Sequence, residues 1–149
     1  MKTTLFTCRI ALVAMTLLGV AQAADTDKTL YERLGGQPAI QAVASGLVDR
    51  ILADSRVNPW FAHAASSPAN TAAYKAKLAE FLCQSTQGPC KYAGLDMSAA
   101  HKGRGVSSAA FDAVVQDLIA VMNELKVPEK EKGDVLALLG PLKGVIVQK

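Results

Sequence analysis

The chain has 149 residues, half of them apolar and only 5% aromatic, with 16 Lys and Arg against 13 Asp and Glu. That length suits one domain, the apolar content excludes a disordered chain, and a formal charge of +3 gives no basic face for nucleic acid. Three cysteines are too few for a disulfide scaffold, and no short repeat supports a coiled coil or solenoid.

Residues 1–23 read as a signal peptide. Lys2 gives a positive start, Ile10 to Val20 is an apolar run edged by Arg9, and Ala21-Gln22-Ala23 has the small-x-small form of a cleavage site. The run is too short for a spanning helix, which needs about 20 residues. An uncleaved anchor is the competing reading. A lipoprotein would need a cysteine just after the cut, where this chain has Ala24. The expected mature chain, residues 24–149, is a single domain. Cleavage removes Lys2 and Arg9 and no acid, which leaves 14 basic against 13 acidic side chains. Electrostatics then names neither a nucleic-acid nor a membrane partner. The protein is expected to be exported, to the periplasm.

The rest of the chain reads as helices. Thr29 to Leu34 is a short turn stopped by Gly35-Gly36. Pro38 suits the first position of the next helix, and Ile40, Val43, Ala44, Leu47, Val48 and Ile51 fall on one face. Asp54-Ser55 ends it, and Asn58-Pro59-Trp60-Phe61 is a tight corner. Ser66-Ser67-Pro68 is loop, after which Asn70 or Thr71 caps a helix through Gln84. Gly88-Pro89 breaks it. A loop and a short turn from Met97 to Lys102 follow, loosened again by Gly103 and Gly105. Ser107 or Ser108 caps a helix carrying Phe111, Val114, Val115, Leu118, Met122 and Leu125. Pro128 opens the last helix, whose stripe is Val135, Leu138, Leu139, Leu142 and Ile146. Gly140-Pro141 bends it without ending it, because the stripe continues. The fold class is therefore all-α.

Chemistry candidates are few. There is no phosphate loop, Cys-x-x-Cys, His-Glu-x-x-His or Gly-x-Ser-x-Gly. A zinc site from Cys83, Cys90, His63 and His101 is available by count, but the gap between the cysteines does not suit zinc. After export Cys83 and Cys90 are the cysteines left, and they straddle a helix end and the Gly88-Pro89 loop, so a disulfide is expected. His101 stands in a weakly helical segment flanked by glycines. It is either an ordinary surface or core histidine or an imidazole presented to a flat ligand. Tyr74, Leu78, Phe81 and Leu82 form the inward stripe of their helix, and Lys77 shares that face by spacing. Lys77 is either a stem that snorkels at the core edge or an amine aimed at the interior.

These residues resemble the truncated globins. Leu30-Tyr31-Glu32-Arg33-Leu34-Gly35-Gly36 with Pro38-Ala39-Ile40 looks like that family's opening. Arg50 to Asp54 and Phe61 fit its next helix and corner. Phe81-Leu82, Gly88-Pro89, Tyr92-Ala93-Gly94, Met97, His101 and Gly103-Arg104-Gly105-Val106 match its middle, and Phe111 and Pro141-Leu142 its last helices. The pattern is similar to the group I branch over nearly all of Thr29 to Val147.

The resemblance implies a two-over-two helical sandwich around non-covalent haem b, with His101 as proximal iron ligand. Phe61, Tyr74, Leu78, Phe81, Met97, Val106 and Phe111 would line the cofactor. An imidazole suits the axial position, and the distal pocket then sets reactivity. The distal side departs from the family: Val48 stands where a tyrosine is usual and Leu78 where a glutamine is common, so efficient nitric-oxide dioxygenation is in question. Tyr74 can supply one hydroxyl instead. Lys77 falls where some relatives place an internal distal iron ligand, and its amine would have to be neutral to bind.

The leading reading is an exported haem protein that binds a diatomic gas (oxygen, nitric oxide or carbon monoxide) or shuttles electrons from a donor. A nitric-oxide dioxygenase or peroxidase-like enzyme is the alternative. A haem-free helical interaction module is the third.

Overall fold

The computed structural model describes residues 27–148. The signal-peptide expectation on residues 1–23 lies outside them. Among the described residues every regular element is helical.

Helix α1 (Leu30–Leu34) opens on a reciprocal cap: the Thr29 side chain accepts from the Glu32 N–H, and Glu32 accepts from the Thr29 N–H at 2.8 Å. Gly35 (φ +106°) and Gly36 (φ +72°) then turn the chain in the left-handed region, where side chains are strained. Helix α2 (Gly36–Ala53) starts two residues earlier than the proline suggested, so Pro38 stands third. It still lies in the first turn, where no intrahelical bond needs its N–H. Six α2 side chains are buried, as their spacing predicts. At about 1.5–3 kcal/mol for each fully buried large aliphatic, this face anchors the fold.

A 3₁₀ turn (Asn58–Phe61) and the short α3 (Ala62–Ala65) lead to α4 (Pro68–Ser85). The cap of α4 is Ser67, not Asn70 or Thr71, and Pro68 is helical rather than loop. Ser67 is extended, so its hydroxyl can reach back to the Asn70 N–H at 3.1 Å, and proline suits the first helical position. Asn70 and Thr71 instead bond the His63 and Ala64 carbonyls and lock α3 onto α4.

Helix α5 (Met97–His101) has Asp96 as its cap, and Ser107 caps α6 (Ser108–Glu124). Pro128 is the cap of α7 (Glu129–Leu139), one place before its first residue. The α-helix ends at Leu139, where a bend without a break was expected, because Pro141 has no N–H to continue the ladder; a 3₁₀ turn over Gly140–Leu142 then leads into the separate α8 (Lys143–Ile146). Leu125 and Leu138 do not join the core; they are 45% and 44% exposed. Leu125 lies just past the end of α6, and Leu138 flanks the Val135–Leu139–Leu142–Ile146 line.

Helix α2 packs on α4 and α6, α1 on α2 and α7, and both α5 and α6 on α8. The core gathers the α2 face with Leu82, Cys83, Leu118, Met122, Val135 and Ile146. Gly46 makes the α2–α6 crossing close: a Cβ there would sit 2.9 Å from Cγ1 of Val121.

Candidate functional site

The large apolar residues nominated from sequence are neither fully buried nor free. Phe61, Tyr74, Leu78, Phe81, Met97 and Phe111 are all half-buried, and Val106 is buried. The Phe61 ring meets Tyr74 edge-on at 5.6 Å between centroids. Aromatic and aliphatic side chains of this size normally finish their burial against a neighbour, so a group of them left half-covered is a candidate binding surface. The set spans elements held by different partners: α4 rests on α2 and α3, whereas α5 rests on α8.

His101 closes α5. Its Nδ1 lies 2.7 Å from the Met97 carbonyl oxygen, one helical turn back. A carbonyl only accepts, so Nδ1 carries the proton, and Nε2 presents a lone pair with no partner among the described residues. That is the tautomer-setting bond typical of a metal-binding histidine. A five-residue helix does not hold itself together. The Asp96 cap bonds the Ala99 N–H at 2.9 Å, and α8 supports the other side. The segment after His101 is tied three times more: the Trp60 indole donates to the Arg104 carbonyl at 3.0 Å, the Gly105 N–H to Oε1 of Gln148 at 2.9 Å, and the Gln148 N–H to the Val106 carbonyl at 2.9 Å.

Tyr74 has no hydrogen-bond partner among the described residues. Burial pushes its phenol up to about 12, with Tyr92 adding to the rise and Arg104 opposing it. Its hydroxyl therefore stays protonated and can donate to a ligand. Val48 is fully buried, and Leu78 offers no polar atom, so neither supplies a second donor.

Lys77 is paired at the surface. Its side chain is 45% exposed, and its ammonium pairs with Glu80 at 3.1 Å. The same ammonium lies 5.9 Å from the centroid of the Tyr92 ring, which in turn packs edge-on against Phe81 at 5.4 Å. Lys77 thus sits at the margin of the apolar set, on the Phe81 side.

Two contributors were missed as site residues. Tyr92 covers Phe81 and is pinned by its N–H to Gln84 at 2.8 Å and its hydroxyl to the Leu95 carbonyl at 3.1 Å. Trp60 reaches the His101 segment across 44 residues of sequence. Scarcity of aromatics in the chain was the one available signal. The Cys83 and Cys90 sulfurs lie 2.05 Å apart, the first on α4 and the second on the loop that carries Tyr92. No cluster of three or more metal-ligating side chains occurs among the described residues, which leaves the zinc reading without support.

Residues 29–148 match the family model described as bacterial-like globin. The chain is 35% identical over 116 residues to a group 1 truncated hemoglobin from Synechocystis, covering 75% of this chain and 90% of that protein. It is 33% identical over 112 residues to a group 1 truncated hemoglobin from Tetrahymena thermophila, covering 74% and 88%. Among solved structures it resembles the ferric truncated hemoglobin of Tetrahymena pyriformis, at 29% identity and a TM-score of 0.72 over 82% of this chain and all of that one. The 2/2 hemoglobin of Synechococcus, in the cyanomet state with covalently attached heme, gives 26% identity and a TM-score of 0.72 over the same shares.

The residues present fit a haem. A single imidazole with Nδ1 engaged and Nε2 open is the donor an axial position needs, and the half-covered apolar set suits a flat macrocycle.

Proposed function

Because this chain belongs to the bacterial-like globins, and there to the group 1 truncated haemoglobins, we propose that it is an exported haem b protein that binds a diatomic gas, with His101 as proximal ligand and Lys77 as an internal distal one. Haem supplies an iron that takes up a gas or exchanges one electron with a donor. Everything else in this reading is the work of the chain's own side chains.

The bond from His101 Nδ1 to the Met97 carbonyl carries the assignment, since it orients the ring and leaves Nε2 to bind. His101→Ala is expected to lose haem or hold it weakly, with recovery on adding imidazole. An unchanged absorption spectrum in that variant would overturn the assignment, and no Soret band in wild type purified with haem would favour an interaction module instead.

Tyr74 is the distal hydrogen-bond donor in this reading, kept protonated by its burial. Gas binding is favoured over peroxidase-like turnover because the apolar set holds no carboxylate or second imidazole to move a peroxide proton. His63 is exposed on α3, and its backbone carbonyl, not its ring, accepts the bonds from Ser66 and Asn70. Turnover with nitric oxide or peroxide at a rate well above that of free haem would reverse that choice.

Lys77 has a long stem, stands one turn from Tyr74 and Phe81, and would leave a largely exposed pairing with Glu80 and a contact with the face of Tyr92. Exposed pairs of this kind are weak, commonly below about 1 kcal/mol. The wild type is then six-coordinate and low-spin, Lys77→Ala is high-spin, and that variant binds carbon monoxide faster. A high-spin wild type restricts Lys77 to the surface role. Export rests on the leader-like residues 1–23, and a Cys83–Cys90 disulfide in the oxidised compartment rests on the proximity of the sulfurs. Two free thiols in the exported protein would refute the disulfide.

A further inference from the structure

Away from the haem-side set, the α1–α2 region, α4 and the α6–α7 turn enclose a cavity of about 300 Å³. Ile40, Val43, Leu82, Met122, Val127 and Val135 form its apolar walls. No residue assigned to the haem lines it, and no acidic residue does. The one buried hydroxyl at its wall, Thr86, is already committed to the Leu82 carbonyl at 2.8 Å. The remaining polar contribution of note is Lys126.

Lys126 is unusual twice over. It follows the end of α6 with φ +56°, in the left-handed conformation that glycine normally takes after a helix. Its N–H bonds the Asn123 carbonyl at 3.0 Å, and the Val127 N–H bonds the Met122 carbonyl at 2.9 Å, so the turn is held firmly. Its ammonium makes no ion pair or hydrogen bond among the described residues. Lys126 is exposed, and its left-handed backbone fixes where its stem leaves the chain, at the mouth of the apolar cavity, with the ammonium free to meet an anion there.

We propose that this cavity is a second ligand site, for a monocarboxylate with a short alkyl chain. The tail fills the space between Val43, Met122 and Val135, and the carboxylate pairs with Lys126. The volume lies at the low end for small-molecule sites, which suits a short chain rather than a long-chain fatty acid. The lone cation and the lack of an acidic lining select an anion over a neutral alkane or alcohol.

The test is calorimetric titration of octanoate and octanol into the haem-loaded full chain, with imidazole saturating the iron so that the haem pocket is closed to the probe. Octanoate is expected to bind saturably at a single site. Lys126→Gln should weaken it by about tenfold, as losing one charge-assisted contact does, and octanol should bind the wild type correspondingly less well. Ala42 is exposed at the cavity margin, so Ala42→Trp obstructs the site without disturbing the core and should abolish binding while the haem spectrum stays unchanged. Absence of saturable octanoate binding overturns the proposal. So does binding that survives Ala42→Trp. Equal affinity for octanol and octanoate, insensitive to Lys126→Gln, overturns the carboxylate assignment.

Discussion

Gly46→Ala tests whether the close crossing of α2 and α6 is a real constraint. A methyl at position 46 would stand 2.9 Å from Cγ1 of Val121 and 3.4 Å from its Cγ2. Carbon pairs prefer about 3.5–4.0 Å. Val121 is 2% exposed and branched at Cβ, so it cannot swing aside. Two effects oppose each other. Alanine gains about 1 kcal/mol over glycine in a helix interior, and forced overpacking costs about 1–3 kcal/mol. The overpacking wins, for a net loss of about 1 kcal/mol. Val121→Ala alone should cost about 2 kcal/mol through the cavity it leaves. With the valine gone, Gly46→Ala should become stabilising by its helix gain, which gives a coupling of about 2 kcal/mol between the sites. Urea unfolding of the four proteins of that cycle, read at constant m, measures it. If Gly46→Ala stabilises by about 1 kcal/mol in both backgrounds, the close approach does not exist and the reasoning fails.

Further outcomes are expected elsewhere. Asp117 is buried on α6 with one carboxylate oxygen unpartnered, and burial, then Asp54, holds its carboxyl above the usual aspartate range. A raised acid stabilises the fold below its unfolded value and loses that contribution as pH rises, so Asp117→Asn should match wild type in strong acid and exceed its Tm at neutral pH; a pH-independent difference would contradict this. Asp134 behaves oppositely, because its hydrogen bond to Arg33, at 2.6 Å, holds its carboxyl low. Its contribution is present above the ordinary aspartate value and fades as pH falls, so Asp134→Asn should flatten the acid limb of the stability curve, as thermal scans between pH 2 and 6 would register. Cys83→Ser with Cys90→Ser should lower the stability of the oxidised protein by about 2.5 kcal/mol for so short a loop, measured by urea unfolding of the variant against the oxidised wild type; equal midpoints would refute it.

Helix identity was legible in the sequence wherever a long apolar period existed. Ile40 to Ile51 on α2 is the clear case, because six side chains at helical spacing leave one face to bury. His101 could be singled out because imidazoles and ordered loop segments were scarce. Local chemistry misled where two caps competed: Ser67 won over Asn70 and Thr71 because contacts with α3 claimed the latter two. The spacing of Leu125 and Leu138 pointed inward, yet whether a stripe's flank is covered depends on which helix lies opposite. Lys77 shows the same limit, since helical phase gives its face but not its partner, and Glu80 and Tyr92 set that. The contacts of Tyr92 and Trp60 and the Lys126 cavity were invisible for a common reason. Each exists through contacts between elements far apart in the chain, and periodicity carries no information about those. The sequence determined the elements and most of their buried faces and offered His101 as a candidate; the tertiary structure decided which half-buried side chains meet, because burial is completed between helices and not within them.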